Sequence, residues 1–254
     1  MEIPKIGFGT YRLKDDTTDS VLHALTIGYT HIDTAPLYKN EAQVGEAINK
    51  SGIDRKTLFL TTKISRKELK SNSIVDSIEN SLRVMNQDYI DLVLLHEPID
   101  FLQNWKLLCE YFNNQTPIKV RHIGVSNFNI EQLELITKIK YPYCNQIELN
   151  PFLQRTSLTE YCKKKSIMVV AHSPLAKGEK LDNPILKSIS KDINKTPSQI
   201  MLKWNNINNN IIIPRSKDQL HILENTSLDF ELSKDNLEKL DSLNCNYSTH
   251  PKYL

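Results

Sequence analysis

Seven short runs of apolar and β-branched residues recur along the chain, at positions 30–34, 58–63, 90–96, 122–127, 144–149, 168–173 and 211–214. None shows the clean polar alternation of a half-solvated strand, and each is short enough to be a strand buried on both faces. Between them the apolar spacing turns helical. Positions 41–50 put Val44, Ala47 and Ile48 on one face, and positions 73–85 do the same with Ile74, Ile78, Leu82 and Met85. Thr196-Pro197-Ser198-Gln199 reads as a capping box with proline in the first turn, opening a helix that runs through Trp204. Leu232, Leu237, Leu240 and Leu243 predict a last helix near the C-terminus.

Strand alternating with helix implies a parallel sheet built through right-handed crossovers. The 254 residues divide into eight strand–helix units of about 32 each, and a (β/α)8 barrel typically takes ~250 residues. Only seven strands are clear; the eighth is expected, weakly, near 225–230. The rival is a doubly wound nucleotide-binding sheet, which needs G-x-G-x-x-G after its first strand. The one candidate, Gly7-Phe8-Gly9-Thr10-Tyr11-Arg12, lacks the third glycine and precedes the first strong strand. The expected fold is therefore α/β, a (β/α)8 TIM barrel forming a single domain over 1–254. The Asn-rich stretch 205–210 reads as a loop, not a domain boundary.

Lys plus Arg number 32 against 30 Asp plus Glu, a formal net charge of +2 that argues against nucleic acid as a partner. No apolar run approaches the ~18 residues of a membrane span. The first residues lack the charged-then-apolar pattern of a signal peptide. Cys109, Cys144, Cys162 and Cys245 form no C-x-x-C pair and no zinc spacing, so no metal is expected and a reduced, cytoplasmic setting is.

In such a barrel the functional groups sit at the C-terminal ends of the strands and in the loops that follow. Reading those ends gives Asp33 with Tyr38 just beyond, Lys63, His96, Ser126-Asn127, Gln146, His172-Ser173 and Arg215-Ser216. Singly, each has a bland reading: Lys63 as a solvated strand terminus, His96 as a satisfied core histidine, Tyr38 as a packed loop aromatic, Asp33-Thr34 as a helix cap. Jointly, the first four make a proton-transfer unit. A tyrosine of pKa near ~10 is a poor acid at neutral pH; a neighbouring Lys63 cation lowers that value, and Asp33 holds the lysine. His96 could orient a carbonyl oxygen. The set suits protonation of an oxygen that becomes an alkoxide when a hydride arrives. It does not suit nucleophilic catalysis, since no G-x-S-x-G elbow exists.

These residues carry a close resemblance to the aldo-keto reductases. Gly7-Phe8-Gly9-Thr10 resembles that family's opening turn, and Gly28-Tyr29-Thr30-His31-Ile32-Asp33-Thr34-Ala35 with Tyr38, Asn40 and Glu41 resembles its first motif. His122-Ile123-Gly124-Val125-Ser126-Asn127-Phe128 and Ile213-Pro214-Arg215-Ser216 resemble two more. The resemblance implies a barrel that binds NADPH without a Rossmann domain and passes hydride to an aldehyde or ketone, a small-molecule carbonyl substrate, in a monomeric enzyme. By it, Tyr38 matches the general acid, Lys63 and Asp33 its partners, and His96 the substrate-orienting histidine. Gly9, Thr10 and Tyr11 fall in the opening turn that meets the cofactor, with Tyr11 also beside the substrate. Ser126, Asn127 and Gln146 would hold the nicotinamide carboxamide, Ser173 and Leu175 the pyrophosphate, and Arg215, Ser216, Glu224 and Asn225 the adenosine end. Arg215 with Lys217 would place two cations at a 2′-phosphate, favouring NADPH with NADH as the weaker alternative. The other class of reading is a cofactor-binding barrel with a structural or regulatory role and little turnover.

The sequence departs from that family at several positions. The nicotinamide-stacking aromatic falls at His172, and a second phosphate-contacting arginine at His221, mostly neutral at pH 7. Two pocket tryptophans fall at Ser65 and Glu97. Glu97 beside His96 suggests a polar pocket that disfavours anionic substrates; a solvent-facing Glu97 is the equal alternative. The connection after the third clear strand is short, Trp105 reads as helix packing, and the C-terminal tail is short. These departures predict an open mouth with weak substrate binding and broad tolerance.

Overall fold

The computed structural model describes residues 2–253. Eight strands form one parallel sheet in sequential order: β1 (Phe8–Gly9), β2 (His31–Asp33), β3 (Phe59–Ile64), β4 (Ile90–Leu95), β5 (Val120–Ser126), β6 (Cys144–Glu148), β7 (Met168–His172) and β8 (Ile211–Ile212). The sheet closes on itself where Ile6 bridges Ile212 in parallel. Gly7 N donates to Ile212 O at 2.8 Å and Gly9 N to Pro214 O at 2.9 Å. Gly9 is required there, because a Cβ would sit 2.9 Å from the Ile213 carbonyl. The fold is a (β/α)8 barrel.

The eighth strand is not where the pattern placed it. Residues 225–230 form the turn and irregular chain after a short helix, and the missing strand is Phe8–Gly9 at the start. Two residues are too few to show a period, and the barrel edge they join supplies the hydrogen bonds that define them. The short connection therefore follows the fourth strand of the barrel, Leu95 being separated from the next helix by 96–100.

The helices α1 (Thr17–Thr26), α2 (Glu41–Ser51), α3 (Arg66–Lys70), α4 (Ile74–Met85), α5 (Phe101–Asn114), α6 (Ile130–Thr137), α7 (Thr156–Lys164), α8 (Pro184–Ile193), α9 (Pro197–Ile207), α10 (Gln219–Glu224) and α11 (Lys234–Asp241) surround the sheet. Helix α9 opens on the expected capping box, with Thr196 and Gln199 bonded reciprocally. It also takes up half of the stretch read as a loop: Asn205 lies inside it, buried, and donates to Leu149 O at 3.3 Å. Val44, Ala47 and Ile48 of α2 face inward as their spacing requires. Trp105 of α5 is fully buried and donates to Lys140 O at 3.1 Å, the packing role expected of it.

The period-2 alternation of each strand divides the interior in two. Leu92, Leu94, Phe59, Cys144, Val170 and Ile211 cluster inside the barrel, while Val93, Leu95, Leu60, Ile64, Ile147 and Ala171 join the larger cluster under the helices. The same inward parity, continued to the C-terminal rim, reaches Asp33, Lys63, Ser126, Gln146, Glu148 and His172. The register keeps them level: Ser126 pairs with Gln146 and Glu148 with His172. Apolar layers thus fill the base, and a polar ring caps them.

Candidate active site

Asp33 ends β2, and the chain then winds through a single 3-10 turn, Pro36–Tyr38, that carries the tyrosine back over the barrel. Asn40 holds this turn in place. Its amide donates to Thr10 O at 2.9 Å and accepts from Thr34 Oγ1 at 3.2 Å, tying the loops after β1 and β2 together. Lys63 projects inward from β3 and is fully buried. Its ammonium reaches Asp33 Oδ1 at 2.5 Å, Thr34 O at 3.0 Å and Tyr38 Oη at 3.2 Å. Three donors thus find three acceptors, which offsets much of the cost of burying the charge. Gln146 Nε2 donates to Asp33 Oδ2 at 2.8 Å, so both carboxylate oxygens are held.

The electrostatics follow from this packing. Burial pulls the Lys63 ammonium down, but Asp33 and Tyr38 beside it outweigh that and lift it above the usual lysine range. Burial pushes the Tyr38 phenol up, and the Lys63 charge pulls against it without prevailing. The lysine therefore acts with the expected sign, yet the net displacement of Tyr38 is upward, because a hydroxyl sunk among rings is desolvated. With Lys63 donating into the phenol oxygen, the phenol's own proton is free for an acceptor in the cavity. His96 follows β4 with its ring 5.9 Å from that of Tyr38, and Tyr11 approaches from the other side at 5.0 Å. Burial and the Lys63 charge hold the His96 imidazole well below its usual range, so it is neutral.

Around this centre lies a cavity of about 730 Å³. Every residue the sequence placed at the site lines it except three: Lys63, one layer behind Asp33 and Tyr38, Lys217 and Ser65. Lys217 is exposed and engaged with Asp16 at 3.2 Å. The inner wall is amide and hydroxyl. Ser126 Oγ donates to Gln146 O at 2.9 Å, and Asn127, in the left-handed region at φ 64°, turns its amide to His96 O and to His172. His172 Nε2 lies 3.1 Å from Asn127 Oδ1. Burial, with His250 beside it, lowers His172 to about 3, so it is a neutral ring at this wall. Further out, the loop after β7 holds Ser173, Ala176, Lys177 and Gly178 at positive φ, a backbone form that gathers peptide N–H groups toward an anion. Arg215, Ser216, His221, Glu224 and Asn225 close the far end. Amide, then anion-binding backbone, then arginine is the succession a nicotinamide dinucleotide demands, so the lining fits such a cofactor. Among the described residues no group of three His, Cys, Asp or Glu could hold a metal ion.

Three expectations need correction. Glu97 is neither solvent-facing nor a free carboxylate in the pocket: it is buried and paired with Arg66 and Lys252. The mouth also has a wall that was not expected, because His250, Lys252 and Tyr253 of the tail line it. Glu148, at the end of β6, accepts from Ser248 Oγ at 2.6 Å, Thr249 N at 2.9 Å and Thr249 Oγ1 at 2.6 Å. Arg155 donates to Tyr253 O at 2.8 Å. His250, Lys252 and Tyr253 thereby join the cavity lining. Sequence reasoning missed them all. Glu148 alone had a signal, since it stands two positions beyond Gln146 and shares its inward parity; the tail has no period to read. Ser65, expected at a pocket wall, instead donates to Glu68 at the start of α3.

The profile of the Aldo/keto reductase family matches residues 5–245. The chain is 37% identical over 252 residues to a glyoxal reductase of Bacillus subtilis, covering 96% of this chain and 90% of the relative. It is 37% identical over 254 residues to a 9,11-endoperoxide prostaglandin H2 reductase of Trypanosoma cruzi, covering 96% and 89%. Among solved structures, an aldo-keto reductase from a Medee basin deep-sea metagenome library superposes with a TM-score of 0.92 at 34% identity, covering 98% of this chain and 94% of that one.

Proposed function

This chain belongs to the aldo/keto reductase family and is an oxidoreductase that reduces carbonyl compounds, and from that premise we propose that it uses NADPH with Tyr38 as the general acid. The family uses a nicotinamide cofactor, and bound in the cavity it supplies the hydride. Ser126, Asn127 and Gln146 would hold the carboxamide, with His172 against the ring, and the loop after β7 with Ser173 and Leu175 would hold the pyrophosphate. Gly9, Thr10 and Tyr11 would border the cofactor from the β1 side. Arg215 would take a 2′-phosphate, near Ser216, His221, Glu224 and Asn225. Because the Lys217 ammonium is shared with Asp16, its contribution to the preference for NADPH over NADH is smaller than a free cation's.

Tyr38 donates its proton to the carbonyl oxygen as negative charge develops there, and Lys63, 3.2 Å away, stabilises the phenolate left behind. Asp33 fixes the lysine, Gln146 fixes Asp33, and neutral His96 orients the substrate oxygen. The three-way contact of the Lys63 ammonium with Asp33, Thr34 and Tyr38 carries this reading. The four free cysteines suit a reducing compartment, and the cytoplasm is the setting this favours.

The test follows NADPH oxidation by absorbance over a panel of aldehydes and ketones, with NADH in parallel and Tyr38→Phe beside the wild type. Removing only the donor should lower kcat about 10²- to 10⁴-fold while NADPH still quenches tryptophan fluorescence at a similar concentration. Wild-type turnover by Tyr38→Phe would remove Tyr38 from the role of acid.

A further inference from the structure

The reactive end of the cavity carries an arrangement that proton transfer does not use. Glu97 follows His96 directly and lines the same cavity, with only 6% of its side chain exposed. Two cations meet its carboxylate, one at each oxygen. Arg66 comes from the first turn of α3 and bonds Oε2, and Lys252 comes from the tail and lies 3.3 Å from Oε1. The Tyr253 phenol is near the same carboxylate, and burial together with that charge pushes it well above the usual tyrosine range. The Arg66 and Lys252 side chains are 50% and 54% exposed, so about half of each side chain faces water. One carboxylate cannot neutralise both. A guanidinium has five donors and an ammonium three, so donors remain for a second acceptor.

The position of Lys252 is not left to a mobile terminus. Glu148 clasps Ser248 and Thr249 through three short bonds and takes His250 N at 3.2 Å. Releasing it would leave a fully buried carboxylate unpaired, which is costly. The other acids of the cavity lie elsewhere or are committed. Asp33 holds Lys63, Glu179 accepts from Tyr247 on the loop side, and Glu224 lies at the far end. The uncompensated charge nearest His96 and Tyr38 is therefore positive.

We propose that Lys252, which lines the cavity while Arg66 behind it takes up the Glu97 charge, forms a subsite for an anionic group on the carbonyl substrate, so that the preferred substrates are oxo compounds bearing a carboxylate several atoms from the reacting carbonyl. The inference rests on the reading that Tyr38 and His96 receive the carbonyl. It reverses what Glu97 suggests on its own: the carboxylate does not repel anions, because it is the smaller charge in a group whose sum is positive. Half-exposed cations act modestly and are screened, so the expected preference is about threefold to tenfold at low ionic strength, shrinking as salt rises.

The experiment compares 4-carboxybenzaldehyde with 4-formylbenzamide, alike in size and different in charge, by kcat/KM with NADPH at low and high salt. The wild type should favour the acid about threefold to tenfold, through KM, with the ratio approaching one in high salt. In Lys252→Gln and in Arg66→Gln the ratio should drop to one or below, since Glu97 then faces the substrate less neutralised. A wild-type ratio of one or less, or a ratio insensitive to salt, overturns the proposal without any variant needing to fold. A ratio unmoved in both variants overturns it too. Failure to reduce either aldehyde overturns the reductase reading and this inference together, whereas equal reduction of both overturns this inference alone.

Discussion

Lys63 would be a liability as an isolated buried ammonium; here its three donors meet Asp33, Thr34 and Tyr38. Removing any partner leaves a charge in a poorly solvated place, which is why such sets are strongly coupled. The buried histidines His31, His96 and His172 take the other route and stay neutral. Burial holds His31 at about 4 and His172 at about 3. The unfolded chain binds their protons as pH falls through about 6.5, whereas the folded chain does not until those lower values. Their contribution is therefore intact above about 6.5 and lost as pH falls toward 4, by about 2 kcal/mol each at pH 5. The urea midpoint should accordingly drop between pH 7 and pH 5, and drop less in His172→Gln. A midpoint that does not move over this range would contradict neutral burial of these rings.

Strand parity, the alternation that sends Phe59 and Lys63 to the same interior, is the feature of this barrel's elements most open to reading from the chain alone. Their place at the C-terminal ends of the strands is what predicts Asp33, Lys63, Ser126, Gln146 and His172 on one rim, and inward parity is how the structure gathers them there. Helices α2, α4 and α9 were legible for the same reason, since their apolar faces and caps lie within a few residues of one another. Two-residue β1 was not, because its pairing with Ile32 and Asp33 is what makes it a strand. The tail was not legible either. It has no periodicity, and its place depends on a carboxylate about a hundred positions earlier in the chain. That clasp gives a prediction at this scale. Ser248→Ala with Thr249→Val removes two short bonds to Glu148, each with a charged acceptor and of the kind valued at about 1.5–3 kcal/mol. The tail should loosen, and KM for an aldehyde should rise about threefold or more. Because neither side chain touches Lys63 or Tyr38, kcat should change less than KM. An unchanged KM in the double variant would show that the tail contributes nothing to the mouth.

The whole molecule closes between its first and last strands, and the cavity spans that seam from Gly9 and Thr10 to Ile213 and Arg215. A cofactor lying there stabilises the closed barrel by mass action. At a hundred times its Kd the gain is about 2.7 kcal/mol, and for a chain of this length that is about 5–10 °C in Tm. A thermal scan with NADPH and with NADH at equal concentration should show both shifts, the NADPH shift being larger if Arg215 takes the 2′-phosphate. No shift with either nucleotide would count against the assignment of the cavity to a dinucleotide.

Covalent geometry and spacing act over a few residues, and whatever depends on them can be read along the chain: the alternation of strand and helix, the ring at the strand ends, the cap of α9. The pairing of Glu97 with Lys252 joins residues 155 positions apart, and the clasp of Glu148 on Thr249 joins residues 101 apart. No local period carries information over such a separation. Those contacts exist only because the closed barrel brings the two strand ends and the tail to one rim, where a buried carboxylate must find its partners. The proton-transfer set belongs to the first kind. The walls and the charge of the mouth, and with them the choice of substrate, belong to the second.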